Sequence, residues 1–147
     1  MNKPIKVREV IVKYGSIVAT VDGEQELSPA RLVDRIRKRL IDEPSELFGV
    51  FMLNSRNIAM GWHVVSRGTL TASLVHPREV FRAAIIENAA SIILVHNHPS
   101  GNAKPSNEDR SVTKRIAAAG RLLGVKVVDH VIVAEAGYYS FLEEGEL

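Results

Sequence analysis

The chain has 147 residues, 46% of them hydrophobic and 24% charged, the balance of one folded domain with a core rather than of a disordered segment. No apolar run approaches the roughly 20 residues needed to cross a bilayer, and no secretory signal heads the chain, so the expectation is a soluble, cytoplasmic protein without membrane contact. Cysteine is absent, which excludes disulfides and thiolate ligands, so any zinc must rest on histidine and carboxylate.

The 19 basic and 17 acidic residues leave a formal charge of +2, which neither demands nor excludes a nucleic-acid partner. In chain order, residues 7–12 and 17–21, joined through Tyr14-Gly15, read as a small hairpin. Its edge strand offers a place for a second copy to pair, so a homo-oligomer is one expectation. Ser28-Pro29 then opens a helix reaching residue 41, with Ser at the N-cap and Pro at the first helical position. Leu32, Val33, Ile36 and Leu40 form its apolar stripe, Arg31, Arg35, Lys38 and Arg39 lie on the other side, and Pro44 stops it. The basic side reads as a solvated face, with Asp34 and Lys38 spaced as an i,i+4 pair, or as a weak contact for DNA.

Leu47–Leu53 and residues 58–65 flank Asn54-Ser55-Arg56-Asn57 as a second hairpin, and residues 71–75 form a short strand. Pro77 starts a helix through about residue 88, with Val80, Phe81, Ala84 and Ile85 inward. Residues 91–95 are a near-continuous apolar run, as in a strand buried on both faces, and a polar loop follows from His96 to Pro105. The helix Asn107–Leu123 repeats Val112, Ile116, Ala119 and Leu123 at helical spacing and ends at Gly124. Residues 125–134 and 138–141 close the chain as strands. Hairpins mixed with strand–helix–strand units predict an α+β fold: one mixed β-sheet flanked by helices. Residues 1–44 form its N-terminal hairpin and helix within the same compact unit, and 45–147 its core.

The chemistry gathers in Leu94-Val95-His96-Asn97-His98-Pro99-Ser100-Gly101 and Ser106-Asn107-Glu108-Asp109. Two histidines at i and i+2 in an extended segment point to the same side. They emerge where a buried strand ends, and Pro99 and Gly101 turn the chain away. Asp109, in the first turn of the next helix, is within reach if that helix packs back beside the strand end. Two imidazoles and one carboxylate make a three-ligand zinc set with the fourth position left for water. Equally, Ser106-x-x-Asp109 reads as a capping-box variant with Asp109 favoured by the helix dipole. His130, in a closing strand, reads either as support for the site or as a hydrogen-bonded core residue. His76 reads as a turn or helix-entry residue and His63 as a surface residue rather than part of the site.

His96-x-His98-Pro99, seven residues from Pro99 to Pro105, then Ser106-x-x-Asp109 resembles the JAMM motif of JAB/MPN+ metallopeptidases. The longer wording His96-Asn-His-Pro-Ser-Gly101 resembles the RadC branch. So do Gly68-Thr69-Leu70, His76-Pro77-Arg78-Glu79-Val80 and Asp129-His130-Val131-Ile132, and the likeness runs from about Ser45 to Leu147. It implies a cytidine-deaminase-like JAB/MPN architecture in which His96, His98 and Asp109 hold Zn2+. It also implies an upstream glutamate as general base, a place that Glu46 fits, with Glu79 and Glu87 as rivals. Ser106 matches the family serine that hydrogen-bonds the water or the developing oxyanion. The implied activity is hydrolysis of a peptide or isopeptide bond, with a peptide or protein conjugate as substrate. Longer RadC proteins carry a helix-hairpin-helix region ahead of this domain, and nothing before Glu46 reads as one. The RadC name also carries a link to DNA repair, so the alternative is a DNA-associated accessory module with a structural or vestigial metal.

Overall fold

The computed structural model describes residues 28–68 and 75–147, together with Lys6, Glu9, Ile11 and Lys13. The hairpin expected over residues 7–21 lies, apart from those isolated positions, outside the described residues, as do residues 71–74 of the short strand expected over residues 71–75. The described elements are α1 (Pro29–Asp34), α2 (Arg37–Ile41), β1 (Leu47–Leu53), β2 (Ala59–Arg67), α3 (Pro77–Ile86), β3 (Ser91–Asn97), α4 (Asn107–Leu123), β4 (Lys126–Ala134) and β5 (Gly137–Ser140). None of the described helices is long and apolar enough to cross a membrane.

The five strands form one mixed sheet in the order β2-β1-β3-β4-β5. β1 runs antiparallel to both β2 and β3, β3 and β4 are parallel, and β5 returns antiparallel to β4. The parallel pair requires a crossover, and α4 supplies it. Every residue of β1 and of β3 is buried, because helices cover both faces and the period-two alternation feeds two separate cores. Phe48, Val50, Met52, Ile92 and Leu94 meet Val80, Phe81 and Ala84 of α3 and Val112 and Ile116 of α4. On the opposite face Leu47, Phe51, Leu53, Ile93 and Val95 meet Leu32 and Val33 of α1, Ile36 between the two helices and Leu40 of α2. The expected fold class, a mixed sheet flanked by helices, is the one observed.

Several boundaries differ from expectation, β2 ending at Arg67 instead of residue 65 among them, and three of the differences bear on the site and its supports. The single helix expected from Ser28 to residue 41 is two helices, broken where Ile36 takes φ −114° and ψ 11°. There the Arg35 and Ile36 N–H groups bond the Leu32 and Val33 carbonyls, three residues back instead of four. The apolar stripe stays on the sheet, while the Arg37 guanidinium donates to the Ala134 carbonyl at 2.8 Å in the β4–β5 turn. Second, β3 runs two residues past its expected end, because Ile132 and Val133 of β4 pair with His96 and Asn97. Third, α3 stops at Ile86, two residues early, and Asn88 takes φ 53° in the turn that follows.

α4 follows the sequence reading at both ends. Ser106 caps it, and Gly124 closes it at φ 72°, a left-handed conformation that glycine adopts without steric cost. A Cβ on Gly120 would lie 2.4 Å from the Val125 carbonyl oxygen, so only glycine lets the end of α4 come this close to the start of β4.

Candidate metal centre

His96 lies in β3 and His98 just beyond it, at the end of the sheet where Glu46 precedes β1. Phe48 of β1 pairs with His96 across the antiparallel ladder, which brings Glu46 to the same end. α4 begins above this end, so its first turn presents Asp109 to the two histidines. His96 Nδ1 lies 3.2 Å from Asp109 Oδ1, and His98 Nε2 lies 3.2 Å from Asp109 Oδ2. One possible ligand atom from each of the three residues falls within 4.8 Å of the others. The sequence reading brought these three residues together on spacing, and the fold does so in space.

The same carboxylate also caps the helix. Asp109 Oδ2 accepts the Ser106 N–H at 2.7 Å, and Ser106 Oγ accepts the Asp109 N–H at 3.1 Å. The two readings of Ser106-x-x-Asp109, cap or ligand, are therefore compatible: the capping box aims the carboxylate at the histidines.

The donor set suits a divalent cation. His98 Nδ1 lies 2.8 Å from the Asn102 carbonyl oxygen. A carbonyl can only accept, so Nδ1 carries the proton, and in the neutral ring Nε2 keeps a lone pair beside Asp109. Neither ring nitrogen of His96 makes a hydrogen bond, although the residue is buried. A buried imidazole left without a hydrogen bond is costly, and a cation between it and Asp109 would engage one of its ring nitrogens. Burial pushes the Asp109 carboxyl up, but the facing imidazoles of His96 and His98 and the Ser106 N–H outweigh it and hold it well below the usual carboxylate range. The contact with Asp109 raises the His98 pKa against the opposing effect of burial, with smaller contributions from the Asn102 carbonyl and the Glu46 charge.

The three residues form the floor of a cleft of about 370 Å³ lined also by Glu46, Ser100, Asn102, Lys104, Ser106 and Glu108. Glu46 is half-buried there. Its rivals do not line this cleft: Glu79 faces Arg82 at 3.8 Å on α3, and Glu87 is the residue that closes that helix. Glu108 does line it, and its place beside Asp109 in the first turn of α4 was the available signal.

Asn97 is the residue that sequence reasoning missed. Strand alternation turns its side chain to the face opposite the two histidines. There Oδ1 accepts the Leu47 N–H at 2.5 Å, and Nδ2 donates to the Leu40 carbonyl at 3.0 Å and the Ser45 carbonyl at 3.1 Å. It therefore holds the chain on both sides of Glu46. The remaining histidines lie away from the cleft lining. His76 occupies the N-cap position of α3, as expected, without a side-chain hydrogen bond. His63 is half-buried in β2, its pKa lowered by burial and by Arg82. His130 is wholly buried in β4.

A family model described as the RadC-like JAB domain matches residues 27–146. Similar proteins include the UPF0758 protein of Symbiobacterium thermophilum, 48% identical over 120 residues that cover 82% of this chain and 51% of that protein. A UPF0758 protein of Rubrobacter xylanophilus is 51% identical over 120 residues, covering 82% of this chain and 52% of its own length. One from Thermotoga maritima is 52% identical over 102 residues, covering 69% and 46%. The chain thus spans about half the length of these curated relatives.

Proposed function

The chain belongs to the RadC-like JAB domain family, and from that premise we propose that it is a zinc-dependent hydrolase of an amide bond, in a peptide or an isopeptide-linked conjugate. The observation that carries this reading is the convergence of His96, His98 and Asp109 on the floor of a cleft whose lining includes Glu46. Three protein ligands of the His and carboxylate type leave a position open, as in catalytic rather than structural zinc sites. Zinc bound there supplies a Lewis acid that makes water a nucleophile near neutral pH.

The protein's own groups do the remaining work. Glu46 takes a proton from the attacking water as its oxygen bonds to the amide carbon, then delivers that proton to the nitrogen as the C–N bond breaks. The Ser106 hydroxyl already accepts the Asp109 N–H, so its own proton is free to be donated to the oxygen that gains charge. The test is metal analysis joined to a screen of amide substrates. Wild-type protein and Glu46→Gln should both carry zinc, with turnover confined to the wild type. Equal turnover in the two would remove Glu46 as the base, and zinc retained in full by both His96→Ala and His98→Ala would remove the site.

A second reading makes the chain a DNA-associated accessory module with a structural metal. It is favoured by a surface groove in which Arg35, Lys38 and Arg39 lie together, although Asp42 and Glu43 line the same groove. This reading requires DNA affinity that falls steeply with salt. Absence of binding to single-stranded, duplex or branched DNA at low salt would dismiss it.

A further inference from the structure

We propose that Thr113 and His130 are positioning residues for Asp109, setting the register of the helix turn that presents its carboxylate to the metal; this rests on the metal-site reading above. The Thr113 hydroxyl donates to the Asp109 main-chain carbonyl at 2.6 Å, and the same hydroxyl lies 2.6 Å from His130 Nδ1. Threonine in a helix often bonds the carbonyl four residues back, and that half alone means little. The other half comes from a different element.

Proton counting fixes the direction of the chain of bonds. The Asp109 carbonyl can only accept, so the single hydroxyl proton of Thr113 goes to it. The hydroxyl then accepts from His130, whose Nδ1 must carry the proton while Nε2 keeps the lone pair. His130 is fully buried, and its Nε2 has no partner. Its ring stacks on Phe141, centroids 4.9 Å apart at 8°, and meets Phe48 edge-on at 5.6 Å. Apolar packing thus holds the imidazole rigid.

The consequence lies in what the two bonds connect. His130 sits in β4 opposite Leu94, two residues before His96 in β3. The relay therefore ties the helix carrying one candidate ligand to the strand beside the one carrying another. The capping box fixes Asp109 from the N-terminal side of the turn, and Thr113 with His130 fixes it from the C-terminal side. Hydrophobic packing alone tolerates sliding of a helix on a sheet by fractions of an ångström, whereas directed hydrogen bonds in a dry interior do not.

Zinc affinity measured by competition with a chromophoric chelator tests this on wild-type protein, Thr113→Val and Thr113→Ser. Valine keeps the shape and removes the hydroxyl, while serine keeps the hydroxyl. The expected result is an affinity roughly 10–100-fold weaker for Thr113→Val and within about threefold of wild type for Thr113→Ser. Long-range ¹H–¹⁵N NMR of the His130 ring should show the proton on Nδ1. A purely structural threonine would lower the unfolding midpoint of Thr113→Val and leave the zinc affinity of its folded form unchanged, which would overturn the proposal. So would a proton on Nε2, a result that decides the matter even if Thr113→Val does not fold. Wild-type protein that takes up no zinc would remove the metal reading and this inference with it. Tight zinc binding by both wild type and Thr113→Val would remove this inference alone.

Discussion

Asn97 Oδ1 accepts the main-chain N–H of Leu47 at 2.5 Å, so the residue between two candidate metal ligands grips the chain next to the candidate base. One short stretch at the end of β3 thereby serves both faces of the sheet. His96 and His98 point to the cleft, and Asn97 reaches back to hold Ser45 and Leu47 in place.

Replacing Asn97 by Asp preserves the shape and reverses the chemistry. The acceptor for Leu47 survives, but the donor to the Leu40 and Ser45 carbonyls becomes an oxygen facing two oxygens. A buried polar clamp broken in this way should cost about 2–4 kcal/mol of stability, read from the urea midpoint. Zinc content of the folded protein should stay near that of wild type, because no ligand has changed. Loss of the metal would show instead that Asn97 supports the histidines and not the Glu46 segment.

The capping role of Asp109 and its proposed metal role can be separated by substitution. Asp109→Asn keeps an oxygen for the Ser106 N–H and loses the charge that favours a cation. Its stability without metal should fall by less than about 1 kcal/mol, while zinc affinity drops at least about 10-fold. Asp109→Ala should lose both the cap and the metal. Equal metal affinity in wild type and Asp109→Asn would make the residue a cap only.

The raised pKa of His98 predicts how zinc affinity depends on pH. Its Nε2 must lose a proton before it can bind a metal. A pKa above 6.5 means that protons compete with zinc up to a higher pH than for an ordinary histidine. Affinity should therefore fall as pH drops through this raised value, with proton release on binding measurable by calorimetry in buffers of different ionisation enthalpy. Stability of the metal-free protein runs the other way. The protonated His98–Asp109 pair contributes fully below the unfolded pKa of 6.5 and is lost as pH rises through the folded value. Metal-free His98→Ala should lack this decline.

Asp129 is fully buried, accepting the N–H groups of His130 and Leu142 on Oδ1 and the Ser140 hydroxyl on Oδ2. Burial raises its pKa despite those three bonds. The native state then binds the proton more tightly than the unfolded chain, so its contribution to stability is complete below the unfolded pKa of 3.8 and declines as pH rises through the folded value. Asp129→Asn, which keeps the two main-chain bonds, should flatten this decline with little loss of stability. Asp129→Ala leaves the Leu142 N–H without its partner and should cost about 1–3 kcal/mol in a denaturant titration.

Elements governed by local chemistry were legible in the sequence. α4 begins and ends where Ser106 and Gly124 say it should, because a cap and a left-handed stop act within one turn. β1 matches its apolar run residue for residue. The break at Ile36 was not legible, since it accompanies the reach of Arg37 to carbonyls about a hundred residues later in the chain. The extra length of β3 depends on a neighbour, β4, that only the topology supplies. The two histidines followed from strand alternation, and Asp109 from motif spacing. Asn97 and Thr113 carried no sequence signal, because each acts through partners that the fold alone brings near.

The capping role of Asp109, beside its proposed metal role, bears on how such chains diverge. A descendant that bound no metal would still gain from an acidic residue three positions after Ser106, because α4 has to start there. The His98 ring has no comparable second employment: it bonds the Asn102 carbonyl and faces Asp109. Drift should therefore erase His98 before it erases Asp109. On the proposed metal reading, a relative that keeps Ser-x-x-Asp but has lost the second histidine would retain the helix start without the full ligand set.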